Sequence, residues 1–176
     1  MRFRHVTRGG RYVRVADPAW LRPLDPRFAQ ERGGRWNPPG SFPVVYLCST
    51  RGVARAVVLR RFAGLPYGVL DLLPSRGPVL IESDVPEGQL VDVIDDAGCR
   101  AAGLPMTYPL DGRGRTIAWG RTQPVGEAGW EQGERGIACR SAAMAKRDHG
   151  EELAWFVRGS ADRLRVTSSS AFEDWF

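Results

Sequence analysis

Apolar and polar positions alternate along several short runs of this chain and recur at a helical period in one. Arg11 to Ala16 alternates as a first strand and Val44 to Leu47 reads as a second. Pro78 to Ser83, entered from Gly77, carries the apolar run Val79-Leu80-Ile81, and Leu90 to Ile94 forms another strand. Thr116 to Trp119, Gly136 to Cys139 and Leu153 to Val157 complete the set. The helical period follows Ser49 or Thr50, either of which can cap a helix reaching about Phe62. Val53, Ala54, Val57, Val58 and Phe62 would share its core face. Asp17 to Leu21 reads as a short helical turn with Asp17 as cap and Pro18 at its first position. Leu24 to Arg32 is irregular or briefly helical, Asp95 opens a short helix that ends before Gly103, and Gly126 to Gly133 is a short helix or loop. Asp111 to Gly114 has turn composition. The pattern predicts an α+β fold with a mixed, mainly antiparallel sheet and flanking helices. It is expected as one domain over residues 1–176, with a core at about 11–158 and a tail at 159–176. For the tail, polar and then aromatic from Val166 to Phe176, docking on the body, a partner site and a frayed end all stay open.

Composition narrows the class. A chain of 176 residues with 43% hydrophobic and 26% charged residues suits a single globular core. No run approaches the roughly 20 apolar residues of a membrane span, and Met1 to His5 has no signal-like apolar stretch. A cytoplasmic protein that does not engage membranes is therefore expected. Cys48, Cys99 and Cys139 are odd in number and widely spaced, and only His5 and His149 join them, so neither a disulfide framework nor a metal site is expected. The net charge is +5, carried almost wholly by arginine, since Lys146 is the sole lysine. Arginines cluster at Arg2, Arg4, Arg8, Arg11 and Arg14, and again at Arg51, Arg55, Arg60 and Arg61. They are either solvated faces or a basic surface for an acidic partner. No nucleic-acid-binding motif accompanies them, so direct nucleic-acid binding is not expected.

The densest chemistry lies in Gly33-Gly34-Arg35-Trp36-Asn37-Pro38-Pro39-Gly40, which leads into the strand that ends near Tyr46. Glycines allow close backbone approach to a ligand, and arginine offers a permanently charged fork for phosphate oxygens. The strand would fix Tyr46 beside that turn. Such a site suits a pyrophosphate and a flat ring. The plainer alternative is a turn whose Trp36 fills the core and whose Arg35 pairs with a surface acid. Other chemistries lack their signatures. Ser141 and His149 stand without a G-x-S-x-G elbow, Asp92, Asp95 and Asp96 lack EF-hand spacing, and no glycine cluster leads into a P-loop.

The early GGRWN block followed by a strand ending in Tyr46 pairs with a late Gly136-Ile137-Ala138-Cys139-Arg140-Ser141-Ala142, with Gln123 upstream. Together these blocks resemble the RES domain family, over a span from about Tyr12 to Phe156. The resemblance implies an ADP-ribosyltransferase-like fold and a bacterial toxin of a toxin–antitoxin pair. It also implies NAD as substrate, with no prosthetic group, consumed at its nicotinamide–ribose bond. By that resemblance Gly34, Arg35, Trp36, Asn37, Tyr46, Gln123 and Ser141 surround the dinucleotide. Arg35 would hold the phosphates, Tyr46 would line the nicotinamide pocket, and Ser141 would act near the scissile end. An acidic antitoxin suits the positive chain, and self-association stays open.

One member of the family pattern is missing. The glutamate expected about three helical turns after the tyrosine falls in an acid-free stretch, Ser49 to Arg61, with Val57 at its place. Cleavage of an N-glycosidic bond builds positive charge on the ribose, which a carboxylate stabilises. The candidates to supply it are Glu151 and Glu152. Glu152 is favoured, because alternation sets it on one strand face with Ala154 and Phe156. The expected catalytic set is therefore Arg35, Tyr46, Ser141 and Glu152. The alternatives are a domain that binds nucleotide or protein without turnover, and a protein ADP-ribosyltransferase.

Overall fold

The computed structural model describes residues 1–144 and 150–176. His149 and Lys146 lie outside the described residues, so the Ser141–His149 pairing raised by the sequence does too. The core is a mixed sheet of six strands: β1 (His5–Ala16), β2 (Val44–Cys48), β3 (Val79–Val93), β4 (Gly136–Arg140), β5 (Glu151–Phe156) and β6 (Val166–Ser170). Their order is β1-β2-β5-β4-β3-β6, and β1 also pairs with β3, so the pairing circuit of the first five closes on itself. Only β3–β4 is parallel. The helices are α1 (Arg27–Arg32), α2 (Arg51–Phe62), α3 (Asp96–Ala101), α4 (Trp119–Glu131) and α5 (Phe172–Trp175). This is the α+β architecture that the sequence pattern implies.

Local chemistry accounts for much of it. The Thr50 hydroxyl accepts the Val53 N–H at 3.2 Å and starts α2, whose Val53, Ala54 and Val58 are buried, with Val57 and Phe62 packed against the same cluster. Asp95 caps α3 by accepting the Gly98 N–H at 2.5 Å. Three expectations need correction. The runs 78–83 and 90–94 are one long strand rather than two. β1 follows β3 through Pro86 and Gly88, from Ala16↔Val79 to His5↔Val91, and takes up the irregularity as a bulge between Arg8 and Gly10. There Gly10 has φ +85°, and a Cβ on Gly9 would stand 2.5 Å from the Glu87 Cα. Thr116 to Trp119 is not a strand. It supplies one isolated bridge, Leu110↔Thr116, before α4 begins. Finally, Asp17 to Leu21 is a turn, held by the Ala19 N–H on Asp17 Oδ1 at 2.8 Å, without a helix.

The expected short helix or loop at 126–133 belongs to α4, a helix of 13 residues with Pro124 inside it. Its glycines weaken it as an isolated helix. Packing overrides that propensity, because a Cβ on Gly126 would sit 1.7 Å from the Trp36 carbonyl oxygen. The bare α4 surface therefore lies directly on the GGRWN loop. The tail docks on the body: β6 pairs with Leu80–Ser83 of β3, and α5 buries Phe172 and Trp175. The Trp175 indole donates to the Pro78 carbonyl at 2.9 Å, and Arg55 donates to the Trp175 carbonyl at 2.7 Å.

Directly opposed residues of neighbouring strands share a sheet face. The registers Tyr46↔Ala154, Cys48↔Glu152 and Cys139↔Glu152 thus set Tyr46, Cys48, Cys139 and Glu152 on one face. Trp36, Val44, Tyr108, Ile137 and Phe156 fill the core on that side, while Tyr12, Leu47, Leu153 and Trp155 fill the other.

Candidate active site

The GGRWN loop leaves α1 through Gly33, whose φ of +73° needs glycine. Gly34 lies against the ring of Tyr46, so close that a Cβ there would be 2.5 Å from the phenol oxygen. That phenol accepts the Trp36 N–H at 2.9 Å and donates to Asn37 Oδ1 at 2.7 Å. Asn37, fully buried, donates in turn to the Ala29 carbonyl at 2.7 Å. From the far side α4 clamps the loop: the Thr122 hydroxyl donates to the Arg35 carbonyl, and the Gln123 amide donates to the Gly34 carbonyl at 3.0 Å. Four side chains thereby fix the backbone around one arginine.

These contacts divide the residues expected around a ligand. Trp36 is 1% exposed and packs against Tyr108 with ring centroids 5.8 Å apart, so its indole belongs to the core. Asn37 and Gln123 use their amides on the loop and act as its frame. Gly34, Arg35, Tyr46 and Glu152 instead line a common cleft of about 500 Å³, within the range of small-molecule sites. Val57 lines it as well, so the position where the family pattern has its glutamate does face the cleft. Among the described residues Arg35 pairs with no acid, contrary to that half of the plainer reading, and its guanidinium reaches the Ile117 carbonyl at 3.3 Å.

Ser141 stands behind the cleft rather than on it. It is 2% exposed, and its hydroxyl donates to Glu152 Oε1 at 2.5 Å while accepting the Ala143 N–H at 3.2 Å. Its hydroxyl proton is therefore committed to orienting a carboxylate. Glu151 points the other way, where Arg8 Nε and the Tyr12 hydroxyl each hold it at 2.9 Å. Burial pushes the Tyr46 phenol well above its ordinary pKa, so it remains a donor to Asn37 at neutral pH. Burial, with the nearby Glu152 charge, likewise raises the Cys48 thiol and keeps it protonated.

The sequence reading missed part of the lining. Arg14, Arg60 and Arg61 join Arg35, and Trp20, Phe28 and Trp119 supply aromatic walls. Among the described residues none of these four arginines enters an ion pair. Among the described residues Glu152 is the one carboxylate on the lining, which is otherwise strongly positive. Arg14 had a signal in the sequence: it interrupts a run of inward strand positions between Tyr12 and Ala16. A second groove of about 670 Å³, along residues 21–27 and 157–166, also carries arginines, but protein groups occupy at least two of them. Arg27 pairs with Asp25, and Arg158 donates to the Trp130 and Glu134 carbonyls.

Among the described residues no helix is long and apolar enough to cross a membrane. No curated protein matches the chain. A solved structure of similar fold is the M. tuberculosis MbcT–MbcA toxin–antitoxin complex, with a TM-score of 0.76 and 22% identity over 97% of this chain and 91% of that one. The model of the RES domain matches residues 7–172, nearly the full length, and the chain belongs to the RES domain family.

Proposed function

We propose that this chain is a toxin that cleaves the nicotinamide–ribose bond of NAD, with Glu152 supplying the carboxylate that α2 lacks. The observation that carries the reading is the meeting of Arg35, Tyr46 and Glu152 in one cleft, with Ser141 orienting Glu152. Arg35 and the positive wall suit the pyrophosphate, and the aromatic walls suit flat rings. Glu152 is available to ribose hydroxyls and to the positive charge that develops as nicotinamide leaves. The leaving nicotinamide is neutral, so no general acid is required. Water and phosphate both fit the role of acceptor, which makes the reaction a glycohydrolysis or a phosphorolysis. The related fold in a toxin–antitoxin complex supports a protein antitoxin as partner, and the charge of +5 favours an acidic one. Such a toxin would act in the cytoplasm, where it depletes NAD.

Val57 favours a second reading, a domain that binds the dinucleotide without turning it over. Chromatography of NAD incubated with the protein, with and without phosphate, separates the two. Nicotinamide release that is lost in Arg35→Ala and Glu152→Gln supports cleavage. Binding of NAD without release at high protein concentration supports the second reading. Release that persists in Arg35→Ala would refute the site.

A further inference from the structure

The cleft carries more positive charge than NAD can neutralise. Among the described residues four arginines line it against one carboxylate, a surplus of three positive charges. NAD brings two negative charges in its pyrophosphate, and its pyridinium ring offsets one of them. Part of the surplus sits where the cleft opens into a neighbouring groove of about 560 Å³, since Arg61, Trp20 and Phe28 line both. Arg61 belongs to the last turn of α2, and the Trp20 and Phe28 rings, with centroids 4.9 Å apart, give this junction an aromatic wall. Arg60 donates to the Thr116 hydroxyl at 3.0 Å, whereas Arg61 enters no ion pair among the described residues. Burial, and then the like charge of Arg61, lower the pKa of Arg14, with Asp25 opposing only in part, so the two cations stand close enough to repel. The carboxylate of the groove, Asp17, accepts the Ala19 N–H through Oδ1 at 2.8 Å.

We propose that the cleft takes the 2′-phosphorylated dinucleotide, NADP, in preference to NAD, and that Arg61 is the side chain that reads the extra phosphate. This rests on the cleft being the dinucleotide site. A phosphomonoester adds a charge of about −2 and three strong acceptor oxygens at neutral pH. With it the charge of the ligand matches the surplus, and without it two positive charges stay unmatched. In dinucleotide sites a carboxylate suits the free adenosine 2′-hydroxyl, and an arginine suits the 2′-phosphate. Arg61 supplies that fork beside the Trp20–Phe28 wall, against which an adenine ring can lie. The nicotinamide–ribose bond is the same in both dinucleotides, so the selection acts on binding of the adenosine end and leaves the role of Glu152 unchanged.

Calorimetry in phosphate-free buffer, with ADP-ribose and its 2′-phosphate as probes, reads the preference as a ratio that a partial loss of folded protein does not move. Wild-type protein is expected to bind the 2′-phosphate about 10- to 100-fold more tightly, the worth of one charge-assisted contact. Arg61→Met is expected to bind ADP-ribose within about threefold of wild type and to lose the preference, and Arg61→Glu is expected to reverse it. A preference that survives in Arg61→Met would overturn the inference. Equal weakening of both probes in Arg61→Met would place the side chain on the pyrophosphate and overturn it as well. If the two probes bind wild type alike while orthophosphate binding is lost in Arg61→Met, the subsite serves free phosphate and the inference falls. Wild-type protein that binds neither probe, nor NAD, would instead overturn the reading of the cleft itself.

Discussion

Removing the Tyr46 hydroxyl tests whether that group holds the loop or acts on a ligand. Tyr46→Phe keeps the ring that Gly34 rests on and deletes one oxygen. That oxygen is the acceptor of the Trp36 N–H at 2.9 Å and the donor to Asn37 Oδ1 at 2.7 Å. Trp36 and Asn37 are both buried, so water cannot replace it without rearrangement. A buried polar group left without its partner costs about 1–3 kcal/mol, and two are orphaned here, for a loss of roughly 2–6 kcal/mol. In a chain of this size each kcal/mol lowers the melting temperature by about 2–4 °C. A fall of roughly 4–24 °C is therefore expected, with the urea m-value unchanged because the core is retained.

The kinetic consequence follows from the same geometry. A looser loop lets the Arg35 backbone wander, so NAD binding suffers first and KM should rise more than kcat falls. Because burial keeps the phenol protonated at neutral pH, no pH dependence of wild-type activity should trace to Tyr46 below about pH 9. A stability loss under about 1 kcal/mol would refute the argument that this hydroxyl is a structural latch. A collapse of kcat at unchanged stability would reassign it to the chemistry.

Glu152→Gln preserves shape and removes the charge, so kcat for nicotinamide release should fall by about 10²-fold or more, measured by chromatography. Ser141→Ala should lose less, about tenfold, because it only frees the carboxylate that Ser141 orients. Gly126→Ala places a carbon against the Trp36 carbonyl, at a site where backbone meets backbone. It should destabilise by about 3 kcal/mol or more, and a melting temperature within about 2 °C of wild type would refute the tight clamp. Trp175→Ala empties a 1%-exposed site beneath α2 and should cost about 3–5 kcal/mol in urea unfolding, which a frayed tail would not.

What the sequence made legible was local. The Thr50 cap and the spacing of Val53, Ala54 and Val58 marked α2, and alternation alone put Glu152 on the face of Ala154 and Phe156. The adjacency of Arg35 and Tyr46 followed from a turn running into a strand. What stayed hidden depends on distant partners. Residues 126–133 read as a short helix or loop, because nothing local announces that Gly126 must be bare to meet Trp36. Trp36, Asn37 and Gln123 have the chemistry of ligand binders, and only the fold shows that the indole is core and the amides hold backbone carbonyls. Arg14 looked like one of several surface arginines until the buried neighbours of β1 enclosed it.

The fate of the missing glutamate turns on strand register. Helix α2 brings Val57 to the cleft, so the fold still presents that position and lacks only the acid. Strand β5 runs beside β2 and can deliver a carboxylate from a different direction, but to one side only. Its successive residues diverge, with Glu151 held by Arg8 and Tyr12 on one face and Glu152 held by Ser141 on the other. A slip of one residue would exchange the two and turn both partnerships against burial. The register is pinned on both edges, by Cys48↔Glu152 toward β2 and Cys139↔Glu152 toward β4. A half-buried carboxylate on the middle strand of a three-strand ladder, with its hydrogen-bond donor buried, has little freedom to lose when a substrate arrives. That rigidity is what positioned electrostatic stabilisation requires, and under the proposed reading Glu152 takes the place of a glutamate on α2.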